Sequence, residues 1–292
     1  MQNVTPAAVV AFVMELAPAV AFGWAAERIA RSIHRQPVAL RLWSPSVCVV
    51  PYVLISVSAH IFRWQWFALY LALPVVIAWL LEQAAAADPE QRGNWRDAVI
   101  LLVLGLSVDL RWFEGAWPSG LQALNKLLLL DMGLYGFLAI RQLSGVGFNF
   151  CFRWSDWKTG LRELIFFTPF VLALGLALRF IHPHANRPQI GTAVLRWALI
   201  FLFTALPEEL FFRGWVQNLL ERRVGRPMAL AIASVLFGLS HFNKRAARFN
   251  WRYVLLAAIA GIFYGRAGRE HRRVAASTIT HASVDWIWGL WF

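Results

Sequence analysis

Apolar stretches recur along this chain at lengths close to what a helix needs to cross a bilayer, about 20 residues each. No soluble core could hide so many of them. Of 292 residues, 59% are hydrophobic and only 15% carry charge. In lipid, every backbone donor and acceptor must be satisfied within the segment, so such runs fold as helices. The chain therefore reads as an all-α, polytopic membrane helical bundle of about eight to ten transmembrane helices.

The formal net charge of +12 does not point to nucleic acid. The arginines fall in short clusters between apolar runs, as in loops held at an anionic membrane face, so the lipid bilayer is the expected partner. Cys48 and Cys151 are far apart with no CxxC spacing, which argues against a disulfide framework, a thiolate metal site and a thiol nucleophile. Sixteen tryptophans suit a protein with many membrane interfaces.

A first apolar segment runs from Val4 to Trp24, carries Glu15 and Pro18, and has no basic residue before it. It reads as a retained helix with its N-terminus outside, and Glu15 as an inward polar contact. Two further segments, 47–61 and 66–81, form a hairpin. Asp88-Pro89-Glu90 marks a loop, and the run 98–110 is short for a full span. The segment 121–140 is long enough despite Lys126 and Asp131. An aromatic, glycine-rich and charged loop is expected over 141–162, then a span over 164–180. His182-Pro183-His184-Ala185-Asn186-Arg187-Pro188 reads as a connector whose histidines do not share a helical face. Residues 1–190 thus read as membrane helices of unassigned role, and 191–292 as the working region.

That region opens with Pro207-Glu208-Glu209-Leu210-Phe211-Phe212-Arg213-Gly214-Trp215, where two carboxylates and an arginine interrupt an apolar stretch. Each charge at the centre of a span costs roughly 3 kcal/mol on insertion scales. Residues four apart share a helical face, so Glu209 can reach Arg213 while Glu208 points about 100° away. Pro207 removes a backbone donor just before the pair. The next helix ends in Phe237-Gly238-Leu239-Ser240-His241. A third carries Gly261 and Gly265 at a spacing that lets helices approach closely. A fourth presents His281-Ala282-Ser283-Val284-Asp285, placing His281 and Asp285 on one face. Ser240 and Ser283 adjoin histidines in sequence but point to other faces, which disfavours a serine mechanism.

Glu208-Glu209-xxx-Arg213, Phe237-xxx-His241 and His281-xxx-Asp285, in that order on successive apolar helices, resemble the CPBP family of intramembrane proteases, also called the Abi family, which includes the Ras-converting CAAX endoprotease. The resemblance covers roughly the last hundred residues. It implies a glutamate-dependent intramembrane endopeptidase that needs neither metal nor cofactor. By that resemblance Glu208 is the general base, His241 helps hold the attacking water, and His281 and the residue at 285 stabilise the oxyanion. Glu209 and Arg213 are expected as a supporting ion pair. Relatives often carry Asn at the last motif position. An ionised Asp285 cannot donate a hydrogen bond, so it is expected to orient His281 instead.

Two other readings follow from the same residues. Glu208, His241 and His281 could hold zinc with one open position, although the HExxH spacing is missing. A proton-coupled transporter or non-catalytic scaffold could use the same buried groups. For a peptidase, the expected substrate is a membrane-anchored or exported precursor in a bacterial inner membrane. The basic stretch Lys244, Arg245, Arg248 and Arg252 would attract an acidic group to the site.

Overall fold

The computed structural model describes residues 5–184, 188–244 and 248–292. Val4, the connector residues Ala185, Asn186 and Arg187, and Arg245 of the basic stretch lie outside them. The described residues form helices and their connections, with no strand among them. The helices are α1 Pro6–His34, α2 Val38–Ser58, α3 Trp64–Ala87, α4 Trp95–Asp109, α5 Ala123–Ile140, α6 Trp154–Ala177, α7 Ile190–Val224, α8 Arg226–Leu239, α9 Trp251–Glu270 and α10 Val274–Trp291. Among the described residues, α1, α2, α3, α5, α6 and α7 are long and apolar enough to cross a membrane, and α8 is a shorter apolar helix. The chain is a polytopic helical membrane bundle. The last two helices fall outside that apolar group because α9 carries Arg252, Arg266, Arg269 and Glu270, and α10 carries Ser277, Thr278, Thr280 and His281, all four buried against protein.

The chain divides into two compact units, Met1–Ser144 and Gly145–Phe292. In the first, α1 packs on α2 and α5, and α3 packs on α2, α4 and α5. Its core is joined by a hydrogen-bonded chain in which Trp117 Nε1 donates to the Tyr70 hydroxyl, which donates to Asn125 Oδ1, each at 2.8 Å. Asn94 and Asp97 cap the start of α4 reciprocally. Arg141, 2% exposed, ties the end of α5 to that cap through Asp97 at 3.0 Å and Asp88 at 2.6 Å.

Glu15 does face inward, at 2% exposure, but the polar contact expected for it is missing: neither carboxylate oxygen has a hydrogen-bond partner among the described residues. Another buried acid, Asp131 of α5, lies within its electrostatic reach. Lys126, five residues earlier on α5, is exposed and does not serve either carboxylate.

In the second unit, α6 begins ten residues before the expected span and takes in Trp154–Arg162, which the sequence assigned to a loop. The reason is local. Asp156 accepts from the Arg153 backbone N–H at 2.8 Å, which supplies the start of the helix. The same carboxylate receives Arg273 Nε at 2.7 Å, and Arg273 Nη2 donates to Asn149 Oδ1 at 3.1 Å and to the Cys151 carbonyl at 2.5 Å. Both charged groups are buried, so this lock fixes the start of α10 against the start of α6. The packing unit therefore starts at Gly145, well before residue 191, because α6 has its partners in α9 and α10.

Helices α8 and α9 approach at glycines. A Cβ at Gly238 would lie 2.5 Å from the Val254 carbonyl oxygen, and one at Gly261 would lie 3.0 Å from Ser234 Cα. At Gly238 no side chain fits without separating the helices, and at Gly261 one would press on the Ser234 backbone.

Candidate active site

Helix α7 is not a uniform α-helix. Two π-helical stretches, Phe201–Ala205 and Leu210–Gln217, flank one α-helical turn, Leu206–Glu209. Pro207 lies in that turn and has no N–H to give to the preceding one. Wider turns of this kind change which side chains project together. The adjacent carboxylates both lie in the α-helical turn and, about 100° apart, meet different surroundings: Glu209 is fully buried, whereas the Glu208 side chain is 24% exposed.

Glu209 Oε1 is the centre of a buried chain. It accepts from Arg213 Nη1 at 3.2 Å and pairs with His281 Nδ1 at 2.8 Å. Arg213 Nη2 donates to the Gly261 carbonyl at 2.9 Å, and its guanidinium lies over the Phe237 ring, 4.7 Å from the centroid. Glu209 thus adds a closer contact to His281 beside the one expected of Asp285. Asp285 Oδ2 lies on the other side of the ring, 3.5 Å from His281 Nε2, and Glu208 Oε2 is 3.9 Å from the same nitrogen. The reason is that α7 brings its buried carboxylate under α10, a relation between helices that intrahelical spacing does not reveal. Tyr264 of α9 stacks on His281 with centroids 4.7 Å apart and planes 16° apart.

His241 stands just past the end of α8. Its Nδ1 is 2.9 Å from the Phe237 carbonyl oxygen, which only accepts, so Nδ1 carries the hydrogen. In the neutral ring Nε2 is then an acceptor. The Ser240 hydroxyl is 3.1 Å from Nδ1 and donates to the same carbonyl, so it serves as a local backbone contact. Phe237 separates the two histidines, its ring edge-on to His281 and tilted against His241.

His241, His281 and Asp285 line one large cavity, whose empty space, counted with its open mouth, is about 760 Å³. The rest of its wall is mostly apolar and aromatic, from Leu164, Phe167 and Val171 of α6 to Ile287 and Trp288 of α10. Glu208 is not part of that wall and approaches the cavity residues through His281. Lys244 Nζ is 3.8 Å from Glu208 Oε1, which places one member of the basic stretch beside the expected base. Arg252 instead lies over the Trp251 ring. Among the described residues, no group of three or more His, Cys, Asp and Glu side chains is arranged to hold a metal ion.

The structure gathers Glu208, Glu209, Arg213, His281 and Asp285 directly and adds His241 across the Phe237 ring. Tyr264 and Lys244 were not singled out as site residues. Lys244 lay within the basic stretch noted after His241. Tyr264 had no such signal, because its partners are on another helix.

Residues 190–287 match the family described as type II CAAX prenyl endopeptidase Rce1-like. No curated protein and no solved structure matches the chain. The match begins at the first residue of α7 and contains every residue of the candidate site, while α6, which forms part of the cavity wall, lies outside it. It is consistent with the CPBP resemblance and supports a protease, a hydrolase of peptide bonds within a multi-pass membrane protein.

Proposed function

We propose that residues 191–292 are the core of an intramembrane endopeptidase in which Glu208 activates a water that cuts a membrane-anchored or exported precursor near a terminus. The observation that carries this reading is the division of labour between the adjacent carboxylates. Glu209 is consumed by Arg213 and His281, while Glu208 stands partly exposed beside His281 Nε2. A base must be reachable by water and hold a proton only transiently.

In this mechanism water donates one hydrogen to Glu208 and another to His241 Nε2. Its oxygen lone pair attacks the scissile carbonyl carbon as the proton passes to Glu208, and the carbonyl π pair moves to oxygen. When that pair returns, the C–N bond breaks and the amine leaves with the proton from Glu208. Glu209 and Arg213 hold His281 in place. The apolar cavity binds the segment around the cut, and a bacterial inner membrane is the proposed location.

The test compares protein termini in membranes holding wild-type protein and Glu208→Ala at matched expression. New termini that vanish with the variant support proteolysis and identify the substrate. Identical termini with folded protein would remove the peptidase reading. A proton-coupled transporter or scaffold would then gain weight, and one observation already favours it: Glu15 and Asp131 are buried acids outside the protease-like region. Transport would need an ion gradient, which cleavage does not.

A further inference from the structure

When water adds to a peptide carbonyl, the oxygen takes up negative charge and needs a donor already aimed at it. The two groups expected to supply that donor are both encumbered. Asp285 as a carboxylate only accepts. His281 gives Nδ1 to Glu209 and has two carboxylates, Asp285 and Glu208, at 3.5 and 3.9 Å from Nε2.

Tyr264 is placed differently. It is 2% exposed, stacks on His281, and lines the large cavity together with His281 and Asp285. Its hydroxyl hydrogen-bonds to no protein group among the described residues. A hydroxyl held in an apolar site without a partner is unfavourable, so its partner must come from whatever occupies the cavity. The phenol is a donor that keeps its proton at neutral pH in ordinary surroundings, and its ring is fixed by the stack on one side and the Phe167 and Phe237 rings around it.

We propose that Tyr264 is a further catalytic residue, whose phenol O–H donates a hydrogen bond to the carbonyl oxygen of the scissile bond as that oxygen becomes an oxyanion. The proposal rests on the peptidase reading. The O–H bond stays intact throughout; Tyr264 stabilises the oxygen that receives the π pair, and proton transfer remains with Glu208.

The experiment uses the full-length protein and a fluorogenic peptide carrying the cut site found in the terminus comparison. Tyr264→Phe keeps the ring and the stack and removes only the donor. It is expected to lower kcat about 10²–10³-fold, the usual effect of losing one oxyanion donor, with KM little changed. Asp285→Asn, which introduces an amide donor on the same wall, is expected to restore about tenfold or more of the lost kcat in the double variant. Wild-type kcat in Tyr264→Phe, a loss confined to KM, or no restoration by Asp285→Asn would overturn the assignment. If Tyr264→Phe does not fold, 3-fluorotyrosine at position 264 keeps the shape and makes the phenol a stronger acid. It must shift the alkaline limb of kcat, and an unchanged limb also overturns the assignment. Cleavage that survives Tyr264→Phe but is lost in Glu208→Ala removes Tyr264 alone. Cleavage that survives Glu208→Ala removes the peptidase reading itself.

Discussion

At the residue scale, the adjacent glutamates should separate experimentally. Glu208→Gln keeps the side-chain shape and removes the proposed base, so kcat should fall about 10²–10⁴-fold while the unfolding midpoint moves less than it does in Glu209→Ala. Glu209→Ala leaves Arg213, 7% exposed, without its carboxylate. Breaking a buried pair on one side costs about 3–5 kcal/mol. Equilibrium unfolding in detergent should therefore show a large loss for Glu209→Ala, and a loss no greater than that of Glu208→Gln would contradict the supporting role. The Glu209–Arg213 pair was legible because i,i+4 spacing is intrinsic to a helix. That Glu209 also orients His281 was not, since the two residues belong to different helices.

At the element scale, the site depends on how α8 meets α9 and how the helix ends are held. Gly238→Val would press a side chain into the Val254 carbonyl, and overpacking of this sort costs about 1–3 kcal/mol. Because the His241 backbone N–H donates to the Gly238 carbonyl at 3.0 Å, the same change should displace His241 and lower kcat along with stability. In the N-terminal unit, the loop lock of Asp88 gives a pH signature. Burial pushes the Asp88 carboxyl up, but the N–H groups of Arg92 and Gly93 and the Arg141 guanidinium outweigh it and hold the group below its ordinary value of 3.8. A depressed carboxyl adds stability above its unfolded value and loses it as pH falls through the folded one. The stability difference between wild type and Asp88→Asn should thus be constant at neutral pH and shrink below about pH 4, as read from unfolding curves across that range. The Asp156 cap that starts α6 is as local as the Asn94–Asp97 cap of α4, but the Arg273 contact that holds it comes from far along the chain.

At the scale of the whole molecule, the proposed chemistry runs on side chains, so chelation should leave cleavage unchanged, and metal analysis of active protein should find no stoichiometric zinc. Activity lost with EDTA and restored by zinc would instead favour the zinc reading of Glu208, His241 and His281. The sequence by itself determined that this chain is a helical membrane protein, because apolar length and the need to satisfy the backbone in lipid leave few other folds. It also determined the identities of Glu208, His241, His281 and Asp285 as candidates, because charge and histidine inside apolar helices are costly wherever they occur. Only the tertiary structure decided that α6 joins the protease-like helices, that Glu209 reaches His281 as well as Asp285 does, and that Tyr264 shares their cavity. Those are relations between helices, fixed by packing at glycines and by the π-helical stretches of α7, and a periodicity read along one helix carries no information about the face another helix brings to it.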